Sequence, residues 1–257
     1  MTSFERRQSL LELLRKQPGL RVPEMARELG ISDGTVRNDL NALEQQGRLT
    51  RVHGGAVLNN ELQSSSSTFG IRYQEHVNEK NCIGQRAAQL VQDGDSILLD
   101  ASSTAYYLSL NLKDRIRLRV VTNGIDVACL LARNTTNTVV LLGGVVTPYG
   151  SSVTGSLSEQ IIHDLHVQRA FVSCSGFSLE RGLTDVHLDE AELKSKAITS
   201  AREVIALVDS SKMGKEDLTS FASIKQITHV FTDSNLNDEW AERLRDAGIP
   251  FTVCSTN

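Results

Sequence analysis

Five short polar runs follow apolar, β-branched stretches of this 257-residue chain: Asp100-Ala101-Ser102-Ser103-Thr104, Thr122-Asn123-Gly124, Gly143-Gly144, Ser175-Gly176 and Asp209-Ser210-Ser211-Lys212. Hydroxyl groups, backbone N–H groups at a helix start and a nearby cation together make an anion site. Ligands of open α/β sheets lie outside the carboxyl ends of the strands, so the five runs converge on one pocket suited to a phosphate or a sugar acid. Each run alone has a plainer explanation. Serine and threonine cap helices, paired glycines make turns, Asp209 can cap the element after it, and Lys212 can be a solvated surface lysine.

A second group of charges, Asp185, Asp189, Glu190, Lys194 and Lys196, lies in "GLTDVHLDEAELKSKAI". Glu190 and Lys194 are four apart, the spacing of a surface ion pair on a helix, while a carboxylate beside a pocket can also serve as a general base on a sugar carbon. An isomerase acting on sugar phosphates would use Asp185 or Glu190 as base, with Lys212 or Lys194 on the phosphate or oxyanion. No compact acid/base constellation accompanies them, and the chain is expected to sense a ligand rather than turn it over. His163 and His166 have no acidic or cysteine partner close in sequence. Cys82, Cys129, Cys174 and Cys254 are far apart and read as reduced, structural thiols, so no metal or cofactor is expected.

A third group lies near the N-terminus. Val36, Leu40 and Leu43 recur at helical spacing and must face a core, which turns Thr35, Arg37, Asn38 and Asn41 to other faces, with Ser32 as the cap. Arginine and asparagine are the residues that read purine edges in the major groove. Arg51 and His53 follow on β-prone runs around Gly54-Gly55, where a two-residue hairpin turn would let them touch phosphate or the minor groove. Glu5 and Asp39 are read as exposed acids of the same segment that do not touch phosphate.

These groups need particular elements to hold them. Leu10, Leu11, Leu13 and Leu14 give a first helix its apolar face; Pro23 opens a second that runs through Met25, Ala26 and Leu29 to Gly30; Gly47 ends the third. Three helices and a hairpin predict a winged helix-turn-helix over residues 1–58, with the helix-turn-helix at about 20–39 and the wing at about 48–58. The polar run "NNELQSSSST" predicts a linker over 59–69. Beyond it, apolar runs at 96–100, 118–123, 138–144, 169–176, 203–209 and 228–233 alternate with helical stretches, which predicts a mainly parallel sheet in an effector-binding and oligomerisation domain over 70–257. "FGIRYQEHVNEKNCIGQRAAQLV" predicts one helix or two, a candidate dimerisation element. Charge is uneven, +2 up to Asn60 and −6 beyond it. No apolar run approaches a membrane span and no signal peptide stands at the start, so a cytoplasmic protein is expected.

The motifs in order resemble the DeoR family of bacterial transcriptional regulators: "ISDGTVRNDLNALEQQGRLTRVHGGAV", then "FGIR", "KNCIGQRAAQLVQDGDSILLDASST", "VVTN", "LLGG", "GLTD", "EAELKSKAI" and "VDSSKMG". The resemblance covers nearly the whole chain. It implies a winged helix-turn-helix joined to an α/β domain similar to ribose-5-phosphate isomerase, acting as a repressor of carbohydrate-catabolic genes. It further implies double-stranded operator DNA and a phosphorylated sugar as partners, in a homodimer or homotetramer. On that likeness Ser32, Thr35, Arg37, Asn38, Arg51 and His53 face DNA. The effector is held by the Asp100, Ser102, Ser103 and Thr104 loop and Lys212, with Thr122, Asn123, Gly143 and Gly144 lining the same cleft and Asp185 and Glu190 beside it. Two positions depart from the family pattern: Ser102 replaces the glycine of "DAGST", and Ser173 replaces the glycine of "FxG".

Overall fold

The computed structural model describes residues 3–16, 20–45, 49–52, 55–58, 72–147 and 151–255. The chain divides into two compact units, residues 1–71 and 72–257.

In the first unit, α1 (Ser3–Lys16), α2 (Val22–Leu29) and α3 (Asp33–Gln45) precede a hairpin of β1 (Leu49–Val52) and β2 (Gly55–Leu58). Leu10, Leu11 and Leu14 of α1 meet Met25 and Ala26 of α2 and Val36, Leu40 and Leu43 of α3. Leu49 and Ala56 close this core from the hairpin, and Leu13 only flanks it. Pro23 sits in the first turn of α2, where a missing N–H costs nothing, and Gly30 ends the helix in left-handed backbone. Asp39 corrects the expectation of an exposed acid: it is buried and paired with Arg6 and Arg7 of α1. Burial raises its pKa, but the two arginines outweigh that and hold the carboxyl below its ordinary value.

The hairpin also differs from expectation. Val52 pairs with Gly55, so the connection is residues 53 and 54 rather than the Gly54-Gly55 pair. Gly55 belongs to β2 and bridges Arg21, and a Cβ there would stand 2.7 Å from the Leu20 carbonyl oxygen. Close backbone approach, not a turn, requires this glycine. His53, Gly54, Gly47, the side chain of Glu5 and the 59–69 linker lie outside the described residues.

The second unit begins with a helical turn at 72–74 and then α4 (Val77–Ala87), separated by a turn in which His76 adopts left-handed backbone, φ +52°. Its centre is a seven-stranded sheet of β3 (Ser96–Leu99), β4 (Arg119–Thr122), β5 (Thr138–Leu141), β8 (Val167–Val172), β11 (Ala201–Leu207), β13 (His229–Asp233) and β14 (Phe251–Cys254). All neighbours run parallel, in the order β14-β13-β11-β8-β3-β4-β5. Such strands are buried on both sides, which explains their continuous apolar runs. α4, α5 (Ser103–Leu110) and α6 (Ile125–Leu131) pack on one face around Ile83, Leu108 and Leu131. α7 (Ser156–His163), α8 (Leu188–Thr199) and α9 (Asp238–Asp246) cover the other through Ile162, Leu193 and Leu244.

Six expected strands appear in this sheet. The structure adds β14 and two small antiparallel sheets: β6 (Val145–Val146) with β7 (Val153–Thr154), and β9 (Gly176–Ser178), β10 (Gly182–Asp185) and β12 (Thr219–Ala222) with β10 central. Among the described residues no helix is long and apolar enough to cross a membrane.

Candidate functional site

Strand order reverses between β3 and β8, which lie side by side although β4 and β5 intervene in the chain. This topological switch point opens the crevice in which open α/β sheets bind ligands. Asp100 follows β3 directly into it and is 1% exposed. Its Oδ1 accepts the Ser102 backbone N–H at 3.1 Å and the Ser102 hydroxyl, and its Oδ2 accepts the Ser173 N–H at 2.8 Å from the end of β8. Asp100 thus ties the two halves of the sheet together.

Lys194 of α8 approaches the same oxygen, Nζ to Oδ2 3.3 Å, and pairs more closely with Asp185 at 2.7 Å. It also donates to the Ser173 carbonyl at 3.0 Å and lies over the Phe221 ring. Burial pulls the Lys194 pKa down, but Asp185, Asp100 and Glu190 together outweigh it, and the side chain is held above its ordinary value as a fixed cation. Burial likewise pushes Asp185 up, and Lys194 with the His187 N–H holds it below the ordinary carboxylate range. The expected surface pair of Glu190 with Lys194 is therefore corrected. Both are buried, and Glu190 instead accepts the Ser152 hydroxyl at 2.7 Å, which in turn shares a hydrogen bond with Thr147.

Other cleft candidates are also engaged by the protein. Thr122 Oγ1 accepts the Gly124 N–H at 2.9 Å, and Asn123 bonds through its backbone and side chain to Val153. The Gly143 carbonyl accepts from Ser158. Gly144 has φ +143°, and a Cβ there would collide with the Thr154 carbonyl oxygen, so packing alone demands a glycine.

Ser103 and Thr104 stand at the first turn of α5, buried, with Ser102 as its cap accepting the Ala105 N–H at 3.1 Å. The first N–H groups of a helix have no intrahelical partner, and α5 starts four residues after β3, beyond that strand's carboxyl end. The serine at the first departure from the family pattern is thus a cap. Ser173 at the second contributes only backbone bonds here, which a glycine supplies equally well.

Across the crevice, Asp209 ends β11 and caps a short helical turn, Ser210–Lys212, its Oδ1 accepting from the Ser211 N–H and hydroxyl. Lys212 is half-buried and forms no ion pair among the described residues. Beside them lies Lys80 of α4, buried, its Nζ donating to the carbonyls of Arg72 and Glu75. Burial lowers its pKa to about 8, against support from the Asp209 charge and opposition from Lys212. Lys80 was not anticipated. The signal was present, since Lys80 falls at helical spacing with Ile83, Gly84 and Ala87, all buried on one face.

In the first unit Arg37, Asn38 and Asn41 are exposed along α3, and Ser32 caps it, its Oγ accepting the Thr35 N–H and bonding the Thr35 hydroxyl. Arg51 of β1 donates to Asn41 Oδ1 at 2.6 Å and its N–H bonds Glu44, which fastens the hairpin to α3. The described residues contain no cluster of side chains suited to a metal.

With this geometry in place, the chain matches the DeoR-like helix-turn-helix domain over residues 6–62 and the DeoR C terminal sensor domain over residues 75–234. It is 37% identical over 253 residues to the HTH-type transcriptional regulator GolR of Listeria innocua, covering 98% of this chain and 99% of that one. Against the lactose phosphotransferase system repressor of Streptococcus mutans, identity is 35% over 241 residues, with 93% and 95% covered. Against the HTH-type transcriptional repressor GlcR of Bacillus subtilis it is 34%, with 98% and 97% covered. Among solved structures it is similar in part to ribose 5-phosphate isomerase A from Neisseria gonorrhoeae, with TM-score 0.38, 13% identity and 52% of each chain covered. It is similar also to eIF2B delta from Chaetomium thermophilum, with TM-score 0.44, 14% identity, and 89% of this chain and 70% of that one covered.

Proposed function

Because the chain belongs to the DeoR family of transcriptional regulators, we propose that it represses carbohydrate-catabolic genes in the cytoplasm and leaves its operator when a phosphorylated sugar or sugar derivative binds its second unit. One observation carries the effector reading: the sheet end that offers the start of α5 also offers Lys212, a half-buried cation with no ion-pair partner among the described residues. A phosphate oxygen takes hydrogen bonds from helix-start N–H groups and charge from a lysine. Ser103, Thr104 and Lys212 hold the anion in this reading. Asp100, Thr122, Asn123 and Gly144 shape the cleft, since their polar groups or backbone are engaged by the protein itself, and Asp185 and Glu190 form its floor with Lys194.

On the DNA side, Arg37 and Asn38 read base edges from the exposed face of α3, Ser32 and Thr35 lie at its phosphate-facing start, and Arg51 and His53 serve the wing. The names of the relatives, a lactose phosphotransferase system repressor among them, favour a carbohydrate signal. An isomerase reading is disfavoured by Lys194: it neutralises Asp185 and keeps it ionised, so Asp185 is a weak base and Lys194 is spent.

The protein assembles as a homodimer or homotetramer in this reading. No charged side chain stands between Arg133 and Glu159, and that stretch exposes Val140, Leu141, Val145, Val146 and Leu157, with Ile161 just beyond it, around the open edge of β5. An uncharged edge with exposed apolar side chains is a surface that natural sheets cover.

Fluorescence anisotropy on DNA from upstream of the protein's own gene, at stated salt and with a panel of pentose and hexose phosphates, tests the proposal. Specific binding relieved by one compound is the expected result. Relief requires that the ligand favour the DNA-incompetent state by a coupling of about 1–3 kcal/mol. Arg37→Ala should weaken specific binding about tenfold. Turnover of a sugar phosphate without specific DNA binding would overturn the reading.

A further inference from the structure

The second unit opens with a helical turn at 72–74, and α4 starts only after His76, a non-glycine residue in left-handed backbone at φ +52°. Such a residue carries strain and persists only where surrounding contacts hold it. Nothing in the sequence from 72 to 87, "RYQEHVNEKNCIGQRA", forbids one continuous helix, since it contains no proline. The break is therefore held by packing.

Lys80 Nζ donates to the carbonyls of Arg72 and Glu75, at 2.7 Å to the second, and so caps the turn from inside α4. The ring of Tyr73 stacks on Tyr107 of α5, centroids 5.0 Å apart and planes 11° apart, and meets Tyr106 edge-on at 5.3 Å. The Tyr107 hydroxyl donates to the Tyr73 carbonyl at 3.2 Å. α4 and α5 are themselves in close backbone contact: a Cβ at Gly84 would stand 2.7 Å from the Tyr107 carbonyl carbon and the Leu108 nitrogen. Of the elements that hold the turn, α5 is the one that starts beyond the carboxyl end of β3, at the crevice. Tyr107 lies four residues beyond Ser103 on that helix, one turn or about 5.4 Å along its axis. The Tyr106 N–H donates to the Ser102 carbonyl at 3.0 Å.

We propose that Tyr73, Tyr106 and Tyr107 form a clasp between this entry turn and the effector site, with His76 as its hinge. Shut, the clasp holds the turn apart from α4; open, it lets His76 relax and the turn run on into α4 as one helix. The chain from the first unit enters the second through this turn, so each arrangement gives the incoming chain a different direction. An effector held at the start of α5 biases the choice by binding the two arrangements with different affinity. The inference rests on the effector reading given above and adds its regulation. The tyrosines are positioning residues, acting through the turn and touching neither DNA nor effector.

The test is the ratio of operator affinities of the full chain without and with each saturating pentose or hexose phosphate of the panel, read by anisotropy. For the compound that relieves the wild type, a ratio of about 5–150 should fall close to one in Tyr73→Ala. Calorimetry should show that this variant still binds the same sugar phosphate, which separates lost coupling from a damaged site. Tyr73→Phe, which keeps the ring on Tyr107, should restore the ratio. Tyr107→Phe removes only the hydroxyl bond to the Tyr73 carbonyl and should lower the ratio in part; it stands in should the alanine variant fail to fold or to bind operator. An unchanged ratio in Tyr73→Ala, or in Tyr107→Phe where that variant stands in, overturns the inference and leaves the effector reading intact, as does loss of sugar phosphate binding in Tyr73→Ala. A wild type whose operator binding no sugar phosphate relieves overturns both.

Discussion

Lys80 and Lys194 are two buried lysines at the same end of one sheet, on opposite faces, and their pKa values move in opposite directions. Burial lowers both. Lys194 meets two carboxylates, Asp185 at 2.7 Å and Asp100 at 3.3 Å, and stays a cation beyond its ordinary range. Lys80 meets two backbone carbonyls, and partial dipoles offset less desolvation than full charges do. The lesson is one of division of labour. The cluster around Lys194 is closed by full charges and is part of the scaffold, while Lys80 rests on two backbone carbonyls and forms no ion pair among the described residues.

The largest effect that would break this contrast is on stability. Lys194→Met strands two buried carboxylates and should cost about 3–5 kcal/mol in urea unfolding, while Lys194→Met combined with Asp185→Asn should cost less than the single change. A single-variant loss under about 1 kcal/mol would remove Lys194 from the scaffold.

pH separates the two lysines more finely. A folded pKa of about 8 for Lys80 lies below the roughly 10.4 of an unfolded lysine, so between those values the unfolded chain binds more protons and stability rises with pH. The slope from one proton is at most about 1.4 kcal/mol per pH unit, and Lys80→Met should lack it. Lys194 has the opposite sign: its stabilisation is complete below the unfolded pKa and is lost as pH rises through the higher folded value. Unfolding free energies of wild type and Lys80→Met across pH 8 to 10, taken as a difference, isolate the first slope.

The smallest effect concerns the cap between the Asp100 scaffold and the proposed anion site at the start of α5. Ser102→Ala should cost about 1 kcal/mol through the lost bond to the Ala105 N–H, and Ser102→Gly, the residue of the family pattern, only a few tenths. Thermal unfolding of the two variants side by side checks the order.

The sheet was legible because a parallel strand buried on both faces writes itself as an apolar run, as in "SILLD" and "EVIALVD". β6 and β7, two residues each, carry no periodicity to read, and β14 lies in a mixed run, "FTVC", half-exposed at the sheet edge. The candidate site divides along the same line. Ser102, Ser103, Thr104 and Lys212 were legible from their positions after strands. The partners of Lys194 were not: local spacing pointed to Glu190, but the bonds go to Asp185 across a turn and to Asp100 on another strand, which only tertiary packing brings near. Asp39 misled for the same reason, since its partners Arg6 and Arg7 lie on a different helix. Asp209 was legible as a cap through one oxygen; that its other oxygen is buried without a hydrogen-bond partner among the described residues follows only from the fold.

Asp100 joins Ser102, after β3, to Ser173, after β8, across the one seam where the sheet changes direction. That seam is where a doubly wound sheet would part if it opened like a book, and here it is stitched shut by a buried carboxylate and a lysine. Those contacts oppose the two halves swinging apart. In the proposed reading, the signal of a bound effector leaves over the rim, through the loops and helix starts that border the crevice.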